Sequence, residues 1–156
     1  MYPDTYDLNF EDSGTVAFFS LPYEVFNNWS AHSVTIWNRT FPTAEHAYQY
    51  AKFSDADPAV AQQIASAISP WLAFQLSRKH RNLTPASWNE KKVSVMTEII
   101  TAKIEQHPDV KDRLIKTGIR KIVENSPWDS FWGIGPSGDG TNMVGVIYMQ
   151  LRDSLR

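Results

Sequence analysis

The stretch Phe41-Pro42-Thr43-Ala44-Glu45-His46-Ala47-Tyr48-Gln49-Tyr50-Ala51-Lys52-Phe53 gathers a carboxylate, an imidazole, an amide and an ammonium within a few positions. Pro42 makes the chain enter a helix abruptly and Thr43 is a good N-cap, so Glu45 is predicted in the first turn, where backbone N–H groups are free. At 3.6 residues per turn, Ala44, Ala47, Tyr48 and Ala51 form an apolar stripe, while Glu45, Gln49 and Lys52 line a second face about 100° around. His46, Tyr50 and Phe53 occupy the side opposite the alanines. The helix is therefore expected to be packed from two directions with the polar row caught between. An acid held near donors in this way suits charge stabilisation or proton transfer; the competing reading is a Glu that merely complements the helix dipole.

A basic cluster follows at Arg78, Lys79, His80 and Arg81, with Lys91 and Lys92 after Trp88. An Arg fork and a Lys point charge suit a phosphate-bearing ligand, although solvated helix ends carry the same residues. Trp88 shares a helix face with Lys91 and can either stack on a base or pack in the core. Gly133, Gly135 and Gly138 spell GxGxxG, but no βαβ unit follows and the chain ends before an acidic ribose ligand could appear. Gly135 to Gly140 has Walker spacing with Thr141 where the lysine belongs, which excludes a P-loop. What remains is a glycine loop feeding a helix, able to bind an anion or simply to turn. The histidines at 32, 46, 80 and 107 lack metal-ligand spacing and cysteine is absent, so neither a metal nor another cofactor is expected.

These residues need a framework. The chain has 156 residues, enough for one domain with a real core, and its formal charge of −2 argues against a protein that coats nucleic acid through a large positive surface. No apolar run reaches the length of a membrane span and Met1 to Asn9 lacks signal-peptide character, so a cytoplasmic protein without membrane partners is expected. Strand-like runs at Val16 to Leu21 and Ser33 to Trp37 flank an aromatic loop at Tyr23 to Trp29. Helical patterns follow: the Glu45 helix, Pro58 to Ala67, Pro70 to Leu76, a long helix opened by Thr84-Pro85 and running towards Glu105, and Val110 to Lys116, stopped by Gly118. The long helix is expected to bury Val93, Met96, Ile99, Ile100 and Ile104. Ile119 to Glu124 alternates like a strand and Met143 to Leu155 closes as an amphipathic helix. The sum is α+β, a mostly helical single domain over residues 1–156 with a small β-sheet.

Four ordered blocks resemble one family. Phe26-Asn27-Asn28-Trp29-Ser30-Ala31-His32 is similar to its Phe-Ser-Asn-Phe-Ser-Pro-His opening, and Phe41 to Phe53 to its Pro-Thr-Ser-Glu-His-Tyr-Phe-Gln-Ala-Gln-Lys-Phe signature. Ser77-Arg78 with Trp88, Lys91 and Met96 comes next. Ser126 to Gly135, Gly140 to Gly145 and Arg152 resemble its closing block. The family is the YbiA-like, or NADAR, family of N-glycosidases. Asn27 departs from Ser, Ala31 from Pro and Ala44 from Ser; no carboxylate is lost.

The resemblance implies a YbiA-like fold and hydrolysis of an N-glycosidic bond between ribose and a base. The substrate would be a ribosylamino-pyrimidine phosphate of early riboflavin synthesis, or ADP-ribose on guanine, which would make ADP-ribosylated nucleic acid a partner. Cleavage of the C1–N bond builds an oxocarbenium-like ribose, so a carboxylate near C1 stabilises charge and can activate water while a second acid assists the base. Glu45 is the implied carboxylate. Asp129, between Trp128 and Trp132, is the second acid or a ribose ligand, or else the cap of an aromatic turn, and Glu124 is a third candidate. Asn28, Thr43, His46, Gln49 and Lys52 are implied ligands to sugar or base, Arg78 and Lys91 hold phosphate, and Trp88 or Trp132 stacks on the base. Gly133 and Asn142 of the closing block complete the substrate-binding set. The rival reading is a non-catalytic nucleotide or ADP-ribose-binding module using the same pocket. Oligomeric state is not legible.

Overall fold

In the computed structural model, residues 8–19 and 24–156 are described. The expected ends at Leu21 and Tyr23 fall outside them. The architecture is α+β and helix-rich, with small sheets, as anticipated. Contacts divide the chain into two compact units, residues 1–30 with 107–156 and residues 31–106.

The first unit is organised by a three-stranded sheet in the order β1 (Phe10–Glu11), β2 (Thr15–Phe18), β5 (Lys121–Glu124). β1 runs antiparallel to β2, whereas β2 and β5 are parallel, pairing Thr15 with Lys121 through Phe18 with Glu124. Val16, Ala17 and Phe18 are buried in succession, the pattern of a strand covered on both faces. Phe18, Phe26 and Tyr148 form the aromatic core, with ring centroids 4.8 to 6.4 Å apart. Tyr148 lies on α6 (Met143–Ser154), and α5 (Pro108–Lys116) ends before Gly118, whose φ of +64° suits a glycine stop. On α6, Arg152 is buried and donates to Thr117 Oγ1 at 3.0 Å and to the Arg120 carbonyl at 2.7 Å.

The second unit begins with a hairpin, β3 (Val34–Ile36) and β4 (Arg39–Phe41), turned by Trp37 and Asn38 at φ +53° and +58°. The sequence pattern marks β3 but not β4, because a Trp-Asn pair lacks the glycine that normally advertises a two-residue turn. Four helices follow: α1 (Ala44–Phe53), α2 (Pro58–Ala65), α3 (Pro70–Lys79) and α4 (Trp88–Gln106). The starts of α1 to α3 are written locally. The side chains of Thr43, Asp57 and Ser69 accept from the N–H groups of His46, Val60 and Leu72, and Pro58 and Pro70 occupy the first helical position. α4 starts at Trp88, later than the expected Thr84-Pro85, because Thr84 is extended and the Pro85 carbonyl closes a turn on the Trp88 N–H. Of its expected buried stripe, Met96, Ile99, Ile100 and Ile104 are buried and Val93 is half-buried. Phe53, Val60, Ala61, Ile64, Ala67 and Ala73 pack as one apolar cluster between α1, α2 and α3. No helix among the described residues is long and apolar enough to cross a membrane.

Gly145 sets how closely α6 approaches β5. A Cβ there would lie 2.2 Å from the Ile122 carbonyl and 2.4 Å from Asn142 Nδ2, both held in place. Gly145→Ala should therefore lower unfolding stability by about 1–3 kcal/mol or more, as overpacking does, measured by urea melts against wild type. Gly118→Ala meets no atom and should be strained only through its backbone.

Candidate active site

Thr43 and His46 together lock the start of α1. The Thr43 hydroxyl oxygen accepts from the His46 backbone N–H at 3.3 Å and lies 2.9 Å from His46 Nδ1. His46 Nε2 lies 3.0 Å from the Ala67 carbonyl. A carbonyl only accepts, so Nε2 carries the proton and Nδ1 is the acceptor for the Thr43 hydroxyl. The imidazole is doubly engaged, and burial, which pushes its pKa below the usual histidine value against the opposing Ala67 bond, favours the neutral ring. Both Thr43 and His46 are buried with their polar atoms used inside the unit.

This lock fixes Glu45. The residue is 7% exposed, and Gln49 donates through Nε2 to Glu45 Oε1 at 2.7 Å. The donation fixes the orientation of the amide, since a flipped Gln49 would set its oxygen against a carboxylate. Gln49 Oε1 is then a buried acceptor without a hydrogen-bond partner among the described residues. One turn on, Lys52 lies 3.4 Å from Ser77 Oγ. Burial lowers the pKa of its ammonium, Glu45 opposes the shift, and Lys92 adds to it. The helix is packed on both expected sides: every residue from Ala44 to Gln49 is buried, as is Phe53.

Within the same unit, Lys52, Tyr50, Trp88 and Lys91 line a cleft of about 430 Å³. Trp88 is 7% exposed and packs its ring against Tyr48 at 5.3 Å, so it combines the two readings of the sequence: mostly core, with an edge on the cleft. Arg78 is exposed at the end of α3, its guanidinium 5.7 Å from the Phe74 ring centroid, and does not line this cleft.

The remaining candidates belong to the first unit. Asn28 is half-buried in the turns that follow Glu24. Asp129 is exposed, and its Oδ1 accepts from the N–H groups of Phe131 at 2.8 Å and Trp132 at 2.7 Å, the capping role weighed for it from sequence. Ser126 Oγ in turn accepts from the Asp129 N–H at 3.0 Å. The half-buried Trp132 sets its ring edge-on to Phe131 at 4.9 Å. Gly133 is buried where a Cβ would meet the Glu124 carbonyl at 2.6 Å. Asn142 is buried with φ +54°, accepts from the Glu124 N–H at 2.8 Å and donates to the Ile122 carbonyl at 2.9 Å. Its amide thus stitches the glycine loop to β5. No sequence signal distinguishes such a structural amide from a ligand.

An N-glycosidase of the NADAR type is the class that these blocks and this fold define. The NADAR domain family model matches residues 16–156, and the chain belongs to that family. It is 36% identical over 145 residues to N-glycosidase Npun_R5314 of Nostoc punctiforme, covering 91% of this chain and 93% of that one. It is 33% identical to N-glycosidase YbiA of Escherichia coli, covering 85% and 82%. The NMR structure of E. coli YbiA superposes with a TM-score of 0.82 at 31% identity, over 95% of this chain and 88% of that chain. The chain also matches 23% of the riboflavin biosynthesis protein PYRR of Zea mays at 34% identity, with 85% of its own length covered.

The His46 lock carries a pH signature. A histidine whose folded pKa lies below its unfolded value takes up its proton more readily when unfolded. Its contribution is therefore intact above about pH 6.5 and is lost as pH falls through that value towards the folded pKa. The wild-type melting temperature should drop between pH 7.5 and 5.5, and His46→Gln, less stable throughout, should show a flatter dependence over that window in scanning calorimetry.

Proposed function

We propose that this N-glycosidase hydrolyses the bond between C1 of a phosphorylated ribose and a nitrogen of its base, with Glu45 as the charge-stabilising carboxylate. The observation that carries the reading is the buried Glu45–Gln49 pair, bonded at 2.7 Å on a helix whose start is locked by Thr43 and His46. A carboxylate in this setting is short of water and keeps its full charge effect on a cationic sugar. Gln49 Oε1, a buried acceptor, suits a ribose hydroxyl.

As the C1–N bond lengthens, positive charge spreads over C1 and the ring oxygen, and Glu45 stabilises it while accepting a proton from the attacking water. The water's oxygen joins C1, and the electrons of the broken bond leave with the base nitrogen, which takes a proton. Asp129 is the second acid we assign from its block, with Oδ2 as the atom outside its capping bonds. Lys91 and Lys52 supply cations at the cleft for phosphate, with Trp88 beside them for the base; Arg78, outside this cleft, is the further phosphate ligand we assign from its sequence block. The substrate class is a ribosylamino-pyrimidine phosphate or an ADP-ribosylated guanine. The similarity to the maize riboflavin biosynthesis protein favours the first. Incubation with each, products resolved by mass, decides between them, and tight ADP-ribose binding without turnover of either would instead mark a binding module.

Glu45→Gln keeps the acceptor that Gln49 Nε2 uses and removes the charge. Its kcat should fall by roughly 10²-fold or more while ligand affinity changes far less. Turnover within a few-fold of wild type, with an unaltered melting curve, would pass the role to Asp129.

A further inference from the structure

Trp37 is held in a conformation that its side chain does not favour. With φ of +53° it occupies the first position of a two-residue hairpin turn, where glycine, asparagine or aspartate is the usual occupant and a bulky residue is strained. Asn38, beside it, is a natural tenant of the left-handed region; Trp37 is not. The residue is nevertheless 40% exposed, so the strain is not offset by full burial in a core. It is instead fixed from two sides: edge-on to the buried Phe41 ring at 6.2 Å, and through Nε1, which donates to Glu98 Oε2 on α4 at 3.1 Å. Both Trp37 and Glu98 line the 430 Å³ cleft that also receives Tyr50, Lys52, Trp88 and Lys91. Backbone strain at a positioned, half-exposed aromatic is the kind of outlier that points to ligand contact.

We infer that the Trp37 turn and Glu98 form a base-specificity subsite of this cleft, which takes an amino-bearing heteroaromatic ring carried on a phosphorylated ribose. The indole offers a rigid stacking surface. Glu98 spends Oε2 on Trp37 and retains a second carboxylate oxygen, an acceptor that matches an exocyclic amino group as carboxylates match the amino edge of cytosine. Lys52 and Lys91 supply the cations that the phosphate needs. An amino-bearing ring of this kind is common to aminopyrimidine and guanine nucleotides. The proposal rests on the phosphorylated-ribose reading for its ligand but reads binding rather than turnover, so it stands or falls separately from Glu45.

The test is calorimetric titration of the full chain with GMP, IMP, which lacks the exocyclic amino group, and ribose 5-phosphate. Wild type should bind GMP more tightly than either. Trp37→Asn, which places a favoured residue in the turn, should keep or raise the melting temperature, weaken GMP about 5- to 10-fold, as loss of an aromatic stack does, and leave ribose 5-phosphate unchanged. Glu98→Gln should bring the GMP and IMP affinities together. The subsite is overturned by any of four results: no saturable GMP binding to wild type, a GMP affinity in Trp37→Asn within twofold of wild type, a lower melting temperature for that variant, or an unchanged GMP-to-IMP ratio in Glu98→Gln.

Discussion

The bonds around the Thr43 hydroxyl decide the candidate site. One oxygen caps α1 through the His46 N–H and donates its own proton to His46 Nδ1, while the far side of the ring reaches the Ala67 carbonyl just beyond α2. A cap of this kind contributes on the order of 1 kcal/mol. Its larger consequence is geometric. With the first turn pinned at both ring nitrogens of His46, the neighbouring Glu45 has little freedom to rotate towards bulk water, and the Gln49 amide takes its orientation from the carboxylate. Glu45 and Gln49 are thus arranged by Thr43 and His46, whose own polar atoms are bonded within the unit.

Charge is managed along the same row. Desolvation works against the charge of Lys52, and the attraction of Glu45 works for it. Buried ions of opposite sign seldom add net stability, since desolvation consumes most of the Coulombic gain. Their value here is the field. A carboxylate that water cannot screen acts strongly on a cation beside it, and a lysine of lowered pKa is easier to desolvate. The cleft next to Lys52 extends this arrangement with Trp88, Lys91 and the strained Trp37 turn.

In the other unit the glycine loop is shaped by close approach of its backbone. At Gly133, Gly140 and Gly145 a Cβ would fall within 2.2 to 2.7 Å of a backbone carbonyl oxygen. Asn142 takes a left-handed conformation so that its amide can bond both ways to β5. Asp129 caps the turn before the loop. Polar residues that a motif places near chemistry therefore also hold the backbone that carries it.

Sequence alone determined what is local. Cap residues beside prolines set the starts of α1, α2 and α3, because a side-chain oxygen needs only the next turn of its own chain. The two-sided packing of α1 was legible from its period, and the family from four ordered blocks that the family model spans. The tertiary structure decided the rest. The parallel pairing of β2 with β5 joins residues about a hundred positions apart, which no local pattern encodes. The β3–β4 turn is not legible locally, because a Trp-Asn pair carries no glycine and the contacts that hold Trp37, to Phe41 and Glu98, come from the fold. His46, equally suited by type to bind a ligand or to brace a helix, became a brace once folding brought the Ala67 carbonyl to its Nε2. A side chain's chemistry is written in the sequence, but which of its atoms remain available depends on neighbours that only the fold supplies.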